Sequence, residues 1–329
     1  MKLATYKDGS RDGQLVVVAR DLGSAHYATG IATRLQQVLD DWNFISPQLE
    51  ELSQSLNHGK TRHAFAFDPA LCMAPLPRAY QWAGGSAFVN HAELLHKARG
   101  TELPADFQTE PLMAQQGSDD FLGPCDDIVC ASEDWGIDFG SEIAVITGDV
   151  TMGASPHHTI DSVRLLMLAN GVTLRELMPA ELAKGLGFCQ SKPAAAFSPV
   201  AVTPDELGAA WQGGRVQLGL QSTWNRKTVG LCDAGPEMNF HFGQLIAHLA
   251  KTRNLRAGSI IGSGPVSNKD WARGYSCIAE KRAIEMLEGG DAKTPYLRYG
   301  DTIRIEMKGG DGHSLFGAIE QRMAALARP

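Results

Sequence analysis

Val216-Gln217-Leu218-Gly219-Leu220, then Asn225-Arg226-Lys227, then Val229-Gly230-Leu231 is the stretch that decides the architecture. Apolar residues at every second position give a strand one apolar face, because successive side chains point to opposite sides of the pleat. Asn225-Arg226-Lys227 is a polar break that offers a turn between the two runs. The whole reads as a hairpin in antiparallel sheet. The same grammar returns at Ile303, Ile305 and Met307, where Gly309-Gly310-Asp311-Gly312 turns the chain into Leu315 to Ile319. Upstream, Ile143-Ala144-Val145-Ile146 is a short apolar strand closed by Gly148-Asp149.

Working outward, Lys2 to Tyr6 and Gln14 to Ala19 predict two strands joined through Asp8-Gly9-Ser10 and Asp12-Gly13. Ile31 to Trp42 has helical spacing. Pro69, Pro75 and Pro77 then punctuate the chain and mark a junction, giving a small N-terminal α/β unit over residues 1–74 and a larger one over 75–329. Helices are expected at Asn90 to Arg99 and at Phe242 to Leu255. In the second, Leu245, Ile246 and Leu249 share a face and Gly258 lies just beyond. The fold class is therefore α+β. The length of 329 residues and 43% hydrophobic content suffice for a substantial core, and 35 glycines favour strands and turns over a helical bundle.

Composition excludes several functions. Lys plus Arg is 30 against 37 Asp plus Glu, a net charge of −7, so a phosphate-binding surplus is missing and no nucleic-acid partner is expected. No stretch approaches the roughly 18 apolar residues of a membrane span, and the first residues hold no apolar run for a secretion signal. The six cysteines are read as mostly buried thiols of a reducing cytoplasm. Nucleotide-loop and serine-elbow motifs are missing. His91 and His96 are five apart, diverging by about 140° on a helix, so they cannot share one ion as a zincin pair does. His157-His158 reads as an exposed loop. Taken singly, His91 near a buried stripe reads as a core histidine with a satisfied hydrogen bond, and Glu280 as a solvated carboxylate.

Longer strings say more. Arg78-Ala79-Tyr80-Gln81-Trp82, Ser86 through Gly100, Gly117-Ser118-Asp119-Asp120-Phe121 and Asp138-Phe139 with Glu142-Ile143-Ala144-Val145 follow in order. After them come Pro179 to Gly185, Gln190-Ser191-Lys192-Pro193, Gly258 to Gly264 and Arg273 to Arg282. Together they resemble the bacterial branch of the fumarylacetoacetate hydrolase family, in register from about residue 70 to the end. The resemblance implies a small N-terminal mixed domain, a C-terminal mixed β-roll and a homodimer. It also implies hydrolysis of a carbon–carbon bond beside a 1,3-dicarbonyl. In that chemistry a His–Glu pair, here His91 and Glu280, activates water. Positive groups, here Arg175 and Lys192, hold the oxyanion, and a divalent ion held by carboxylates stabilises the enolate leaving group.

At the four positions where the resemblance implies metal-binding carboxylates, this chain has Gly84, Gly140, Glu142 and Gly171. Magnesium and calcium want several oxygen ligands, and Glu142 alone with water would bind either only weakly. Two expected substrate contacts also differ: Pro265 replaces a threonine and Phe88 a tyrosine. Because these departures cluster in the site, the favoured expectation is a repurposed enzyme without a cofactor. Such an enzyme would use His91 and Glu280 for hydrolysis, tautomerisation or cyclisation of a small carbonyl compound. The alternatives are an ordinary magnesium- or calcium-dependent hydrolase working through Glu142, and a non-catalytic binder. Replacing three carboxylates by hydrogen is expected to enlarge the pocket and make it less acidic.

Overall fold

The computed structural model describes residues 1–327. A long mixed sheet forms its spine. From one edge the strands run Phe65–Ala66, Ser24–Tyr27, Gln14–Val18, Lys2–Tyr6, Ala201–Val202, Val163–Asn170, Ser141–Thr147, Ile260–Gly262, Trp82–Gly85 and Met113–Gln116. Neighbours along it are antiparallel, except that Ile260–Gly262 runs parallel to Trp82–Gly85. The N-terminal strands are therefore continuous with the C-terminal sheet, through Lys2 opposite Val202 and Leu3 opposite Ala201.

A second sheet orders Lys227–Asp233, Gly219–Trp224, Thr302–Met307, Ile319–Ala325 and Ile128–Cys130. Here the hairpin opened by the alternating leucines and valines is present. Its turn places Asn225 and Arg226 at φ 49° and 66°, the left-handed pair that matches the twist of a two-residue hairpin. Ser141–Thr147 is buried along its whole length, so its side chains are apolar on both faces apart from Ser141, Glu142 and Thr147. The architecture is the expected α+β arrangement of a small N-terminal unit and a larger mixed-sheet domain.

Three local expectations change. The Ile31–Trp42 helix is shorter, Leu35–Asp40, and is followed by a second helix, Trp42–Asn57, with Pro47 inside it. That proline reads as a breaker in the sequence, and an apolar stripe packed on the sheet overrides it. The Phe242 helix ends at Leu249, because Leu255 is drawn into a β-bridge with Val150 by two backbone hydrogen bonds of 2.9 Å. His157 and His158 are exposed as expected, but on a short helix capped by the Ser155 hydroxyl. Four of the six cysteines are buried; Cys189 is exposed. Among the described residues no helix is long and apolar enough to cross a membrane.

Candidate active site

Helix Val89–Arg99 ends at Gly100, whose φ of 65° is the left-handed conformation that closes a helix. It carries His91 on its buried face, where Nδ1 lies 3.0 Å from Glu280 Oε2. Glu280 sits in the first turn of helix Ile278–Gly289 and is 1% exposed, so the sequence reading of a solvated carboxylate is corrected. Its other oxygen, Oε1, accepts from Ser267 Oγ at 2.9 Å, and Asn90 Nδ2 donates to Ser267 Oγ at 2.7 Å. Both carboxylate oxygens are thus satisfied, which fixes the orientation of the pair. With Nδ1 engaged by a carboxylate, Nε2 is the nitrogen left to accept a proton.

The N-terminus of the Glu280 helix is held from outside. Asp138, fully buried, accepts from Ile278 N at 2.6 Å and Ala279 N at 3.1 Å, two of the donors that a helix leaves unpaired at its start. The same carboxylate accepts from Arg175 Nε at 2.8 Å. A two-stranded ladder, Ile137–Asp138 against Thr173–Leu174, sets this geometry. It also carries Thr173, whose Oγ1 receives Lys192 Nζ at 2.8 Å. The loop before Lys192 is anchored by Glu181, whose carboxylate accepts from the amides of Cys189, Gln190 and Ser191 at 2.9, 2.7 and 3.0 Å and from the Ser191 hydroxyl. Those donors hold its pKa down to about 2.

His91, Arg175, Lys192, Glu142, Gly84 and Pro265 line one cavity of about 280 Å³. Phe88 is not at its wall: it is 1% exposed and belongs to the hydrophobic core. Gly140 and Gly171 lie behind the wall, joined by a 2.8 Å hydrogen bond from Gly171 N to Gly140 O. A larger hollow of about 420 Å³ beside Arg34 and Arg78 lacks any comparable acid–base set, and Asp12 engages Arg78 at 2.7 and 2.9 Å.

The space beside the glycines is not simply gained by the cavity, which corrects the expectation of enlargement. A Cβ on Gly84 would lie 2.3 Å from Gln116 Nε2, whose Oε1 accepts from Trp82 Nε1 at 3.1 Å. A Cβ on Gly171 would lie 2.3 Å from Glu142 Oε1. Glu142 is 3% exposed, and its Oε2 makes no hydrogen bond of good geometry. Burial pushes its pKa up to about 7, against the pull of Lys192, of the nearby Gly264 amide and of Arg175. Desolvation brings Lys192 down to about 8, with Glu142 opposing and Arg175 adding to the fall. One carboxylate whose neighbours are glycines and a lysine is a poor donor set for a hard divalent ion. The one His, Cys, Asp or Glu trio among the described residues with ligand-like spacing is His91, Cys277 and Glu280; it does not include Glu142, and His91 and Glu280 in it are already hydrogen-bonded to each other.

Asp138, Gln116, Ser267 and Thr173 were not singled out by the sequence reading. Asp138 alone had a signal, because it opens the Asp138-Phe139 string that carries the resemblance.

Fold and cavity define a class: a mixed-sheet domain with a buried His–Glu pair beside two cations. The family described as fumarylacetoacetate hydrolase C-terminal matches residues 81–324, and the one described as fumarylacetoacetase N-terminal domain 2 matches residues 1–78. The chain belongs to the fumarylacetoacetate hydrolase family. Among curated proteins none matches. Among solved structures, it is similar to the fumarylacetoacetate hydrolase of Exiguobacterium antarcticum, with 17% identity over 99% of this chain and 100% of that one and a TM-score of 0.66. It is similar to the maleylpyruvate hydrolase of Sphingobium sp. SYK-6 in complex with manganese(II) and pyruvate, with 14% identity, the same two coverages and a TM-score of 0.66. It is also similar to the 2-hydroxyhepta-2,4-diene-1,7-dioate isomerase of Mycobacterium marinum, with 14% identity over the whole of both chains and a TM-score of 0.61. At these identities the likeness is one of fold.

Proposed function

We propose that the protein is an acid–base enzyme acting on a 1,3-dicarbonyl or related carbonyl compound without a resident divalent ion. The observation that carries this reading is the 3.0 Å His91–Glu280 contact at the wall of the cavity that Arg175 and Lys192 also line. His91 takes a proton at Nε2, from water in a hydrolysis or from the carbon between two carbonyls in a tautomerisation. Glu280 stabilises the imidazolium that results. Arg175 and Lys192 face the oxygen on which negative charge develops. The family relatives named as hydrolase and isomerase both support a carbonyl substrate, and the lone Glu142 supports the metal-free reading. We assign the protein to the cytoplasm on its free, mostly buried thiols, and to a homodimer on the family resemblance.

The unpartnered Oε2 of Glu142 favours a second reading, weak binding of magnesium or calcium there. A panel of acylpyruvates assayed with a chelator and with added metal decides. Chelator-resistant turnover that falls by about 10²-fold or more in His91→Ala supports the proposal. Turnover that requires stoichiometric metal refutes it, and ligand binding with no turnover makes the chain a binder.

A further inference from the structure

We propose that Lys192 forms a covalent iminium with a ketone of the substrate, supplying the electron sink for the bond that breaks. This rests on the reading that the cavity takes a carbonyl compound, and it changes one role within it: Lys192 becomes the nucleophile, and Arg175 alone is left to face the oxyanion.

Three observations meet at this lysine. Its side chain lines the same cavity of about 280 Å³ as His91. Its one side-chain hydrogen bond is to the neutral Thr173 hydroxyl at 2.8 Å, and among the described residues no carboxylate stands within ion-pair distance of Nζ. The guanidinium of Arg175, 8% exposed, lines the same wall as a neighbouring cation. The charged and titratable groups that act on the lysine are Glu142, Arg175, Asp138 and Cys277. Arg175 is held by Asp138 and is a fixed neighbouring cation. Desolvation and an adjacent cation are the two settings that keep a lysine amine neutral enough to attack a carbonyl. The fall of its pKa to about 8 agrees with this placement.

The step balances without an added oxidant or reductant. The Nζ lone pair attacks the ketone carbon, the carbonyl electrons move to oxygen, and water relays a proton from nitrogen to that oxygen. The hydroxyl leaves as water with a second proton from solvent, giving the iminium, and hydrolysis of the iminium later returns that proton. His91 then deprotonates water, which adds to the second carbonyl. The carbon–carbon bond breaks and its electron pair enters the iminium as an enamine. Protonation of the enamine carbon by the His91 imidazolium and hydrolysis by water free the second product and Lys192. The sum is one water consumed per bond cleaved.

The test is reductive trapping. The protein is incubated with pyruvate or with acetylpyruvate, reduced with sodium borohydride, and weighed by intact mass. The expected result is one adduct per chain, heavier by the keto acid less one oxygen atom and mapped to the peptide holding Lys192. Lys192→Arg, which keeps the charge, should lose it, while His91→Ala should keep it and lose turnover. An unmodified parent protein overturns the proposal, and so does an adduct that maps to other lysines; neither result needs the variant to fold. An adduct on Lys192 without dyad-dependent turnover would sink the acid–base reading and leave the iminium standing. Dyad-dependent turnover without an adduct would do the reverse.

Discussion

Replacing Asp138 by alanine should be among the most damaging single changes in this protein, and the reason is calculable. Asp138 is fully buried and serves two partners: the first amides of the Glu280 helix, at 2.6 and 3.1 Å, and Arg175 Nε, at 2.8 Å. Loss of the helix cap costs about 1 kcal/mol. Loss of the partner leaves the Arg175 guanidinium, 8% exposed, as an unpaired charge, at a cost of about 3 to 5 kcal/mol. The sum, about 4 to 6 kcal/mol, approaches the whole stability of a marginal domain. Urea denaturation followed by tryptophan fluorescence measures it. Adding Arg175→Met to Asp138→Ala removes the stranded charge, so the double variant should recover on the order of 2 kcal/mol or more over Asp138→Ala alone. A loss of less than about 1 kcal/mol in Asp138→Ala, or a double variant as unstable as the sum of its singles, would refute the paired-charge account.

Three further outcomes are expected. Because the folded-state pKa of Glu142 is raised to about 7 from 4.5, native Glu142 keeps its proton where the unfolded chain has lost it. Stability should therefore fall as pH rises from about 4.5 to 7, by about 3 kcal/mol, and Glu142→Gln should flatten that slope; an unchanged slope in urea titrations across this range would count against it. Glu181 has the opposite sign: its lowered pKa contributes stability above about pH 4.5 that is lost as pH falls through about 2. Glu181→Gln should speed amide exchange at Cys189, Gln190 and Ser191, and unaltered protection there would contradict the anchoring. Gly84→Asp displaces only the flexible end of Gln116 and should cost less than Gly171→Asp, which drives a carboxylate onto Glu142. With Gly140→Glu added, the triple variant should gain a manganese-dependent rise in Tm, and a folded triple variant indifferent to manganese would refute the reading that carboxylates at these positions make an ion site.

Much of this fold was legible because its strands obey period two and its turns are chemically marked. Asn225-Arg226-Lys227 announces a hairpin, and the apolar Ile143–Ile146 run announces a strand buried on both sides. Helix Trp42–Asn57 was hidden because Pro47 opposes it locally, and only packing settles such a conflict. The pairing of His91 with Glu280 could not be derived from spacing, since 189 residues separate them; the ordered strings carried it. The neighbours that fill space were the least legible. Nothing in Met113-Ala114-Gln115-Gln116 tells that the last amide will lie against Gly84, because that contact depends on register across two strands. Phe88 failed for a related reason: one residue ahead of the helix, a side chain can turn to the cavity or to the core, and burial of an aromatic ring chose the core.

The three glycines bear directly on what chemistry the site can run. None of Gly84, Gly140 and Gly171 has positive φ, so the backbone does not demand glycine at any of them. What stands against a side chain is its surroundings. At Gly84 and Gly171 the obstacle is the end of another side chain, Gln116 or Glu142, and at Gly140 it is the Gly171 carbonyl at 2.8 Å. Glu142 therefore leans into volume that a side chain at 171 would otherwise hold. Its carboxylate is dry there, and dryness favours the protonated form. An ion cage needs the contrary, ionised oxygens converging at about 2.0 to 2.6 Å. A buried carboxyl whose pKa rises to about 7 is partly protonated near neutral pH, and in that form it is no ligand for a hard ion. On the proposed reading, glycine at these three positions leaves Glu142 without converging carboxylates, which weakens Lewis-acid chemistry, and leaves Lys192 hydrogen-bonded only to the neutral Thr173 hydroxyl, which favours its attack on a carbonyl.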